Sequence, residues 1–170
     1  MASAASATAQ LRTFLAKYSP EIAASAQAIL KKMRARYPSA IELVYDNYNA
    51  LAIGFSPTER PSEVIFSIAI YPNWINLFFL QAKGLPDPKM ILQGSGKQVA
   101  HLRLTMPEML DDPAVVALMH VAATRAKVPF SPIGKHRLVI RSVSAKQRTR
   151  RPAESSATPP RTRPRKAAKS

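Results

Sequence analysis

The sequence contains no cysteine. Disulfides, thiolate nucleophiles and cysteine-ligated metals are therefore excluded, and the chain fits a reducing compartment. Long hydrophobic runs are also lacking. The most apolar stretch, Val64 to Leu80, is interrupted by Ser67, Pro72, Asn73 and Asn76. A membrane span needs about 20 predominantly apolar residues, so no membrane association of that kind is expected. Acidic residues are few: 10 Asp and Glu stand against 25 Lys and Arg, a net charge of +15. Glycine is scarce, and no Gly-rich dinucleotide fingerprint, GxSxG or HExxH string occurs. The chain is accordingly expected not to be an enzyme and to carry no cofactor. The first ten residues have neither a basic n-region nor a Leu-rich core. They read as a flexible N-terminus rather than a secretory signal, and a cytoplasmic location is expected.

What is present suits one small domain with appendages: 170 residues, 46% of them apolar. The positive charge is uneven. Residues 146–170 hold nine Lys and Arg and one Glu; the rest holds 16 Lys and Arg and nine acids. The last segment thus carries about half the excess charge. Beyond Ser144 there is no Leu, Ile, Val, Met or aromatic residue. Such a segment cannot bury enough surface to offset the entropy of ordering, so residues 145–170 are expected to be a disordered basic tail.

The body, residues 11–144, reads as an α+β domain. Leu11, Phe14, Leu15 and Tyr18 have helical spacing. Ser19-Pro20-Glu21 then restarts a helix, with Ser19 as N-cap, Pro20 at the first position and Glu21 set against the dipole. That helix should run to about Arg36, burying Ile29, Leu30 and Met33, and Pro38 stops it. The pattern then switches to alternation. Ile41, Leu43 and Tyr45 alternate with Glu42, Val44 and Asp46. A second strand follows over Ala50 to Phe55, with Ala50, Ala52 and Gly54 on one face. A strand face of small residues lets a helix, another backbone or a ligand approach closely. Glu63 to Tyr71, apolar on both faces, reads as a central strand, and Trp74 to Leu80 as a fourth. Their short connections argue for an antiparallel meander. Lys97 to Leu104 alternates as a fifth strand. Asp112-Pro113 opens a helix to about Lys127, and Leu138 to Val143 is a last strand. The expectation is an antiparallel sheet of about five to six strands flanked by N-terminal and C-terminal helices.

Three strings carry a family likeness: LVYDNYNALAIGF, IFSIAIYPNWINLFFL and GLPDPKMILQGSGKQVAHLRL. Together they resemble the YdhG-like domain family, small bacterial domains of largely unknown function, over roughly residues 11–127. The best signature is Gly94-Ser95-Gly96-Lys97 running into His101-Leu102-Arg103-Leu104. The family pattern often has Arg before that His, where this chain has Ala100. The resemblance implies a curved antiparallel sheet flanked by helices. It also implies a frataxin-like iron-chaperone activity, since some members are so described. Iron sites of that kind draw on clustered carboxylates, whereas the acids here are dispersed among more numerous bases. His101, His120 and His136 have no paired spacing, and no metal site is expected.

Four groups of residues remain as functional candidates. Gly94-Ser95-Gly96-Lys97 invites comparison with a phosphate loop, but the positions such a loop needs hold Ile91 and Gln98, and a turn into a strand offers no helix N-terminus. It reads as a glycine turn. Lys97, His101 and Arg103 would share one strand face and offer cations to an anionic ligand or acidic partner; the alternative is a solvated outer face. Tyr45, Asn47, Tyr48 and Asn49 gather at one turn, with Trp74 and Asn76 near them. Aromatics with amides suit the wall of a small-molecule pocket, although turn chemistry and a core Tyr account for them as well. Lys146, Arg148, Arg150, Arg151, Arg161, Arg163, Arg165, Lys166 and Lys169 would attract any polyanion weakly and without sequence preference, or serve only solubility. The leading expectation is a non-catalytic module for a small anionic ligand or a protein partner. An iron chaperone and a nucleic-acid-associated accessory protein are the alternatives.

Overall fold

The computed structural model of the chain describes residues 4–94 and 97–152. Its elements run α1 (Ala4–Ala16), α2 (Pro20–Arg36), β1 (Ile41–Asp46), β2 (Leu51–Ser56), β3 (Phe66–Ile70), β4 (Ile75–Phe79), β5 (Ala100–Leu104), α3 (Pro113–Arg125) and β6 (Arg137–Val143). The class is α+β, as expected. The two helix starts form through their caps. The Ser19 hydroxyl accepts the Ile22 N–H ahead of Pro20, and the Asp112 carboxylate accepts the Ala114 N–H ahead of Pro113. These bonds satisfy amides that the first turn of a helix leaves open. The flexible N-terminus expected over residues 1–10 is corrected from Ala4 onward, where the chain is already helical. Alanine is the best intrinsic helix former, and Ala7 and Leu11, one turn apart, are both buried.

The sheet order is β5-β4-β3-β2-β1-β6. Strands β1 to β5 form the antiparallel meander, and β6 returns to pair with β1 in parallel. All three helices pack on one face. Their buried residues, Leu30, Met33 and Met119 among them, join one core with Val44, Ile53, Ile68 and Leu77 of the strands. Tyr18 pins the helices to the sheet. Its hydroxyl donates to the Ile70 carbonyl at 2.7 Å and accepts the Leu51 N–H at 3.2 Å. Burial pushes its pKa up to about 12, so it stays a donor throughout the physiological range.

On β1 the set facing the helices is the one that contains Glu42 and Asp46. Glu42 is fully buried and Asp46 is 1% exposed. Buried carboxylates are tolerable only when paired and hydrogen-bonded, and each has two basic side chains as partners. Glu42 takes a forked bond from Arg34, at 2.8 and 2.9 Å, and a contact from His136 Nε2. Asp46 takes Lys17 Nζ at 2.8 Å and Arg150 Nη2 at 2.9 Å. Burial alone pushes both carboxyl pKa values up. The hydrogen bonds from His136 and Arg34, and from Lys17, Gln147 and Arg150, outweigh it and hold both below their ordinary values.

Arg150 corrects the expected boundary at residue 145. It is 4% exposed, and it also donates to the carbonyls of Asn47 and Tyr48. The Ser144 N–H reaches the Asp46 carbonyl at 2.8 Å, and the Arg148 N–H reaches the Tyr48 carbonyl at 2.9 Å. Gln147 and Arg151 add bonds to Lys17. Charge and hydrogen bonding, not apolar burial, seat this segment. That is why its lack of large apolar side chains did not foretell it.

Candidate functional site

Among the described residues, no helix covers the second face of the sheet. Pairing register aligns its residues in two rows. One runs Tyr45, Ala52, Ala69, Asn76, Arg103; the next runs Leu43, Gly54, Ser67, Phe78, His101. Each row crosses five strands, a span of about 19 Å at about 4.8 Å per strand. The small residues expected to admit a helix, a backbone or a ligand serve two ends. At Gly54 the space is taken by Val64: a Cβ there would meet Val64 Cγ1 at 3.0 Å. Val64 belongs to a small second core with Ile41 and Leu43, against which Tyr45, Leu80 and Val139 pack. Beside that plug, Ala52, Ser67 and Ala69 floor an open groove of about 490 Å³, walled by Tyr48, Asn49, Tyr71 and Phe78. Its volume falls in the range that takes drug-sized molecules.

The structure brings most of the sequence candidates together here. Asn47, Tyr48 and Asn49 line the groove at the turn between β1 and β2. Tyr48 is 49% exposed, with the Arg148 guanidinium 5.7 Å from its ring centre. Trp74 stacks on Tyr71 at 5.0 Å and carries Arg103 4.9 Å from its ring centre. His101 lies against Phe78 at 5.3 Å.

Two polar atoms on the first row are buried without a hydrogen-bond partner among the described residues: Tyr45 Oη and Asn76 Oδ1. Asn76 as a whole is 7% exposed. An unpaired buried polar group costs about 1–3 kcal/mol, so two in one row call for an explanation. The third such atom among the described residues, Arg150 Nε, sits on a guanidinium whose other nitrogens are engaged.

Two sequence assignments are corrected. Lys97 does not lie on the strand with His101 and Arg103. The strand begins at Ala100, and the Lys97 N–H closes a turn on the Gly94 carbonyl at 3.2 Å. Gly94 adopts a φ of 78°, which favours glycine, and this turn delays the strand by three residues. Arg150 is not a free cation for a polyanion, since it is buried against Asp46. Lys146, Arg148 and Arg151 are exposed. Arg161, Arg163, Arg165, Lys166 and Lys169 lie outside the described residues.

The carboxylates are mostly engaged. Besides Glu42 and Asp46, Asp111 pairs with Lys32 and Arg36, and Glu59 with Arg137. Asp87 accepts the Ile91 and Leu92 N–H groups. No group of three or more metal-ligating side chains occurs among the described residues, and no helix there is long and apolar enough to cross a membrane. Sequence reasoning missed the uncovered face itself. Alternation shows that a strand has two faces, not which one receives the helices.

No protein-family model, curated protein or solved structure matches the chain. The likeness to YdhG-like domains therefore rests on the sequence strings alone.

Proposed function

We propose that the chain is a non-catalytic binding module whose uncovered sheet face receives a small anionic ligand bearing a flat ring. One observation carries the reading: Tyr45 Oη and Asn76 Oδ1, both buried and without a partner among the described residues, share one register row on the face that none of the described helices covers. A ligand with N–H or O–H donors would satisfy Asn76, and Tyr45 can accept or donate. Arg103 ends the same row and supplies the positive charge. The alanines between leave room for a ring, and Phe78 and Tyr71 give it aromatic edges. The dispersed, paired carboxylates leave a frataxin-like iron site little to draw on. The exposed cations of residues 146–151 would add weak affinity for polyanions in general.

The test is thermal shift with the full chain against anionic ring compounds, such as mononucleotides and aromatic carboxylates, at low salt. A ligand that binds only the folded state must raise the melting temperature. Asn76→Leu is the diagnostic variant. It removes an unsatisfied buried group, so the ligand-free protein should melt higher, by about 2–6 °C for about 1–2 kcal/mol, while the shift caused by ligand disappears. If no anionic ring compound stabilises the protein, or if Asn76→Leu responds as the wild type does, the site is wrong.

A further inference from the structure

The groove over Ala52, Ser67 and Ala69 does not end at the sheet. It shares Asn49 and Tyr71 with a slot of about 470 Å³ between the Tyr71–Trp74 pair and Arg148. That slot shares Asn73 and Trp74 with a third hollow of about 260 Å³, which reaches Arg103 and Thr105. The three hollows adjoin through these shared lining residues and are taken together as one track. It runs from Phe78 on the sheet face, past Tyr48 and Tyr71, around the end of the strands, to Trp74 and Arg103. No carboxylate among the described residues lines any part of it.

We infer that this track holds single-stranded nucleic acid, its bases stacked at the aromatic side chains and its phosphates at the arginines. The inference rests on the anionic-ring reading of the face and extends it from one ring to a chain of them. Binding of single strands without sequence preference combines a positive groove with aromatic side chains along it. Both parts are present and interleaved. Arg148 lies at Tyr48 and Arg103 at Trp74, so each cation sits beside a ring. Amides at Asn47, Asn49 and Asn73 border the path and can meet base edges or sugar hydroxyls. The slot is bordered by the Tyr71–Trp74 ring pair and the Arg148 side chain, groups that suit an unstacked base. A duplex keeps its base faces covered and cannot use it. An acidic peptide would satisfy the arginines but would have no use for four aromatic side chains along one path.

The experiment uses the full chain and fluorescence anisotropy at about 50 mM salt. The probes are a labelled oligothymidylate, an abasic oligomer of equal length and charge, a duplex, and an oligoglutamate. The oligothymidylate should bind at least about tenfold more tightly than the abasic strand, since each stacked base contributes roughly that factor or more. It should also bind more tightly than the duplex and the oligoglutamate. Tyr48→Ala combined with Arg148→Ala changes exposed side chains and should leave the fold intact. It should weaken the oligothymidylate about fivefold or more and the abasic strand much less. Equal binding of the base-bearing and abasic strands would overturn the inference and leave simple charge attraction. Tighter binding of the oligoglutamate or the duplex would overturn it too. If oligonucleotides fail while an anionic ring compound still stabilises the wild type but not Asn76→Leu, the track falls and the small-ligand site stands. If both assays fail, both fall.

Discussion

Consider removing the chain beyond residue 144 and comparing it with removal beyond residue 152. Only the first cut takes Arg150 away. Asp46, 1% exposed, would then keep Lys17 at 2.8 Å but lose the guanidinium at 2.9 Å. Orphaning a buried charge entirely costs about 3–5 kcal/mol. Here one partner survives, so the cost sits lower, near that of a charge-assisted hydrogen bond, about 1.5–3 kcal/mol. The carbonyls of Asn47 and Tyr48 also lose their donor, but water can replace it once the segment is gone. About 2–3 kcal/mol in a domain of this size lowers the melting temperature by about 5–10 °C. The 1–152 chain should melt with the full-length protein, and the 1–144 chain lower by that amount. Circular dichroism at 222 nm reads both. Arg150→Ala in the full chain should reproduce most of the loss. Were the two truncated chains to melt within about a degree of each other, the buried pair would contribute nothing and its energetic account would be wrong.

Tyr18→Phe removes the hydroxyl that the Ile70 carbonyl and the Leu51 N–H share. Two buried groups lose their partner, so denaturant unfolding should show a loss of about 2–4 kcal/mol with an unchanged m-value. Acid should act through Glu42 and Asp46. Their folded pKa values lie below the ordinary 4.5 and 3.8, so their stabilisation is fully present above those values and is lost as pH falls through the lower folded ones. Melting temperature should therefore be level above about pH 5 in respect of these groups and drop steeply below about pH 4. Glu42→Gln should flatten part of that drop, and an unaltered acid limb would contradict the assignment.

Much of the fold was legible because its signals are local. Ser19-Pro20 and Asp112-Pro113 announce two helices through chemistry that acts within one turn. The meander shows in period-two alternation between Ile41 and Phe79. What was illegible depends on distant partners. Glu42 and Asp46 read as ordinary polar positions, because their cations lie up to 104 residues away. Arg150 read as one tail charge among nine, because nothing near it in sequence marks it as docked. The aromatic and amide candidates were legible as residue types. Their convergence was not, because it depends on which sheet face the helices leave open. Lys97 was placed on the strand since alternation continues through it, while Gly94 turns the chain first.

The parallel pairing of β6 with β1 has a consequence for how the chain is made. The five meander strands meet neighbours close in sequence, the longest connection being residues 80–99 between β4 and β5, so their contacts form at lower entropic cost than the closure made by β6. Strand β6 joins Ile41 to Arg137, a closure of almost a hundred residues. During synthesis the helices and the meander can assemble while β1 is still an open edge. In that interval Glu42 has Arg34 and Asp46 has Lys17, both already synthesised, while His136 and Arg150 have yet to emerge. The early partners are thus the ones that let two carboxylates enter the interior, and the late ones close it. An interrupted chain ending before residue 137 would be left with a bare β1 edge, a template for pairing with another molecule.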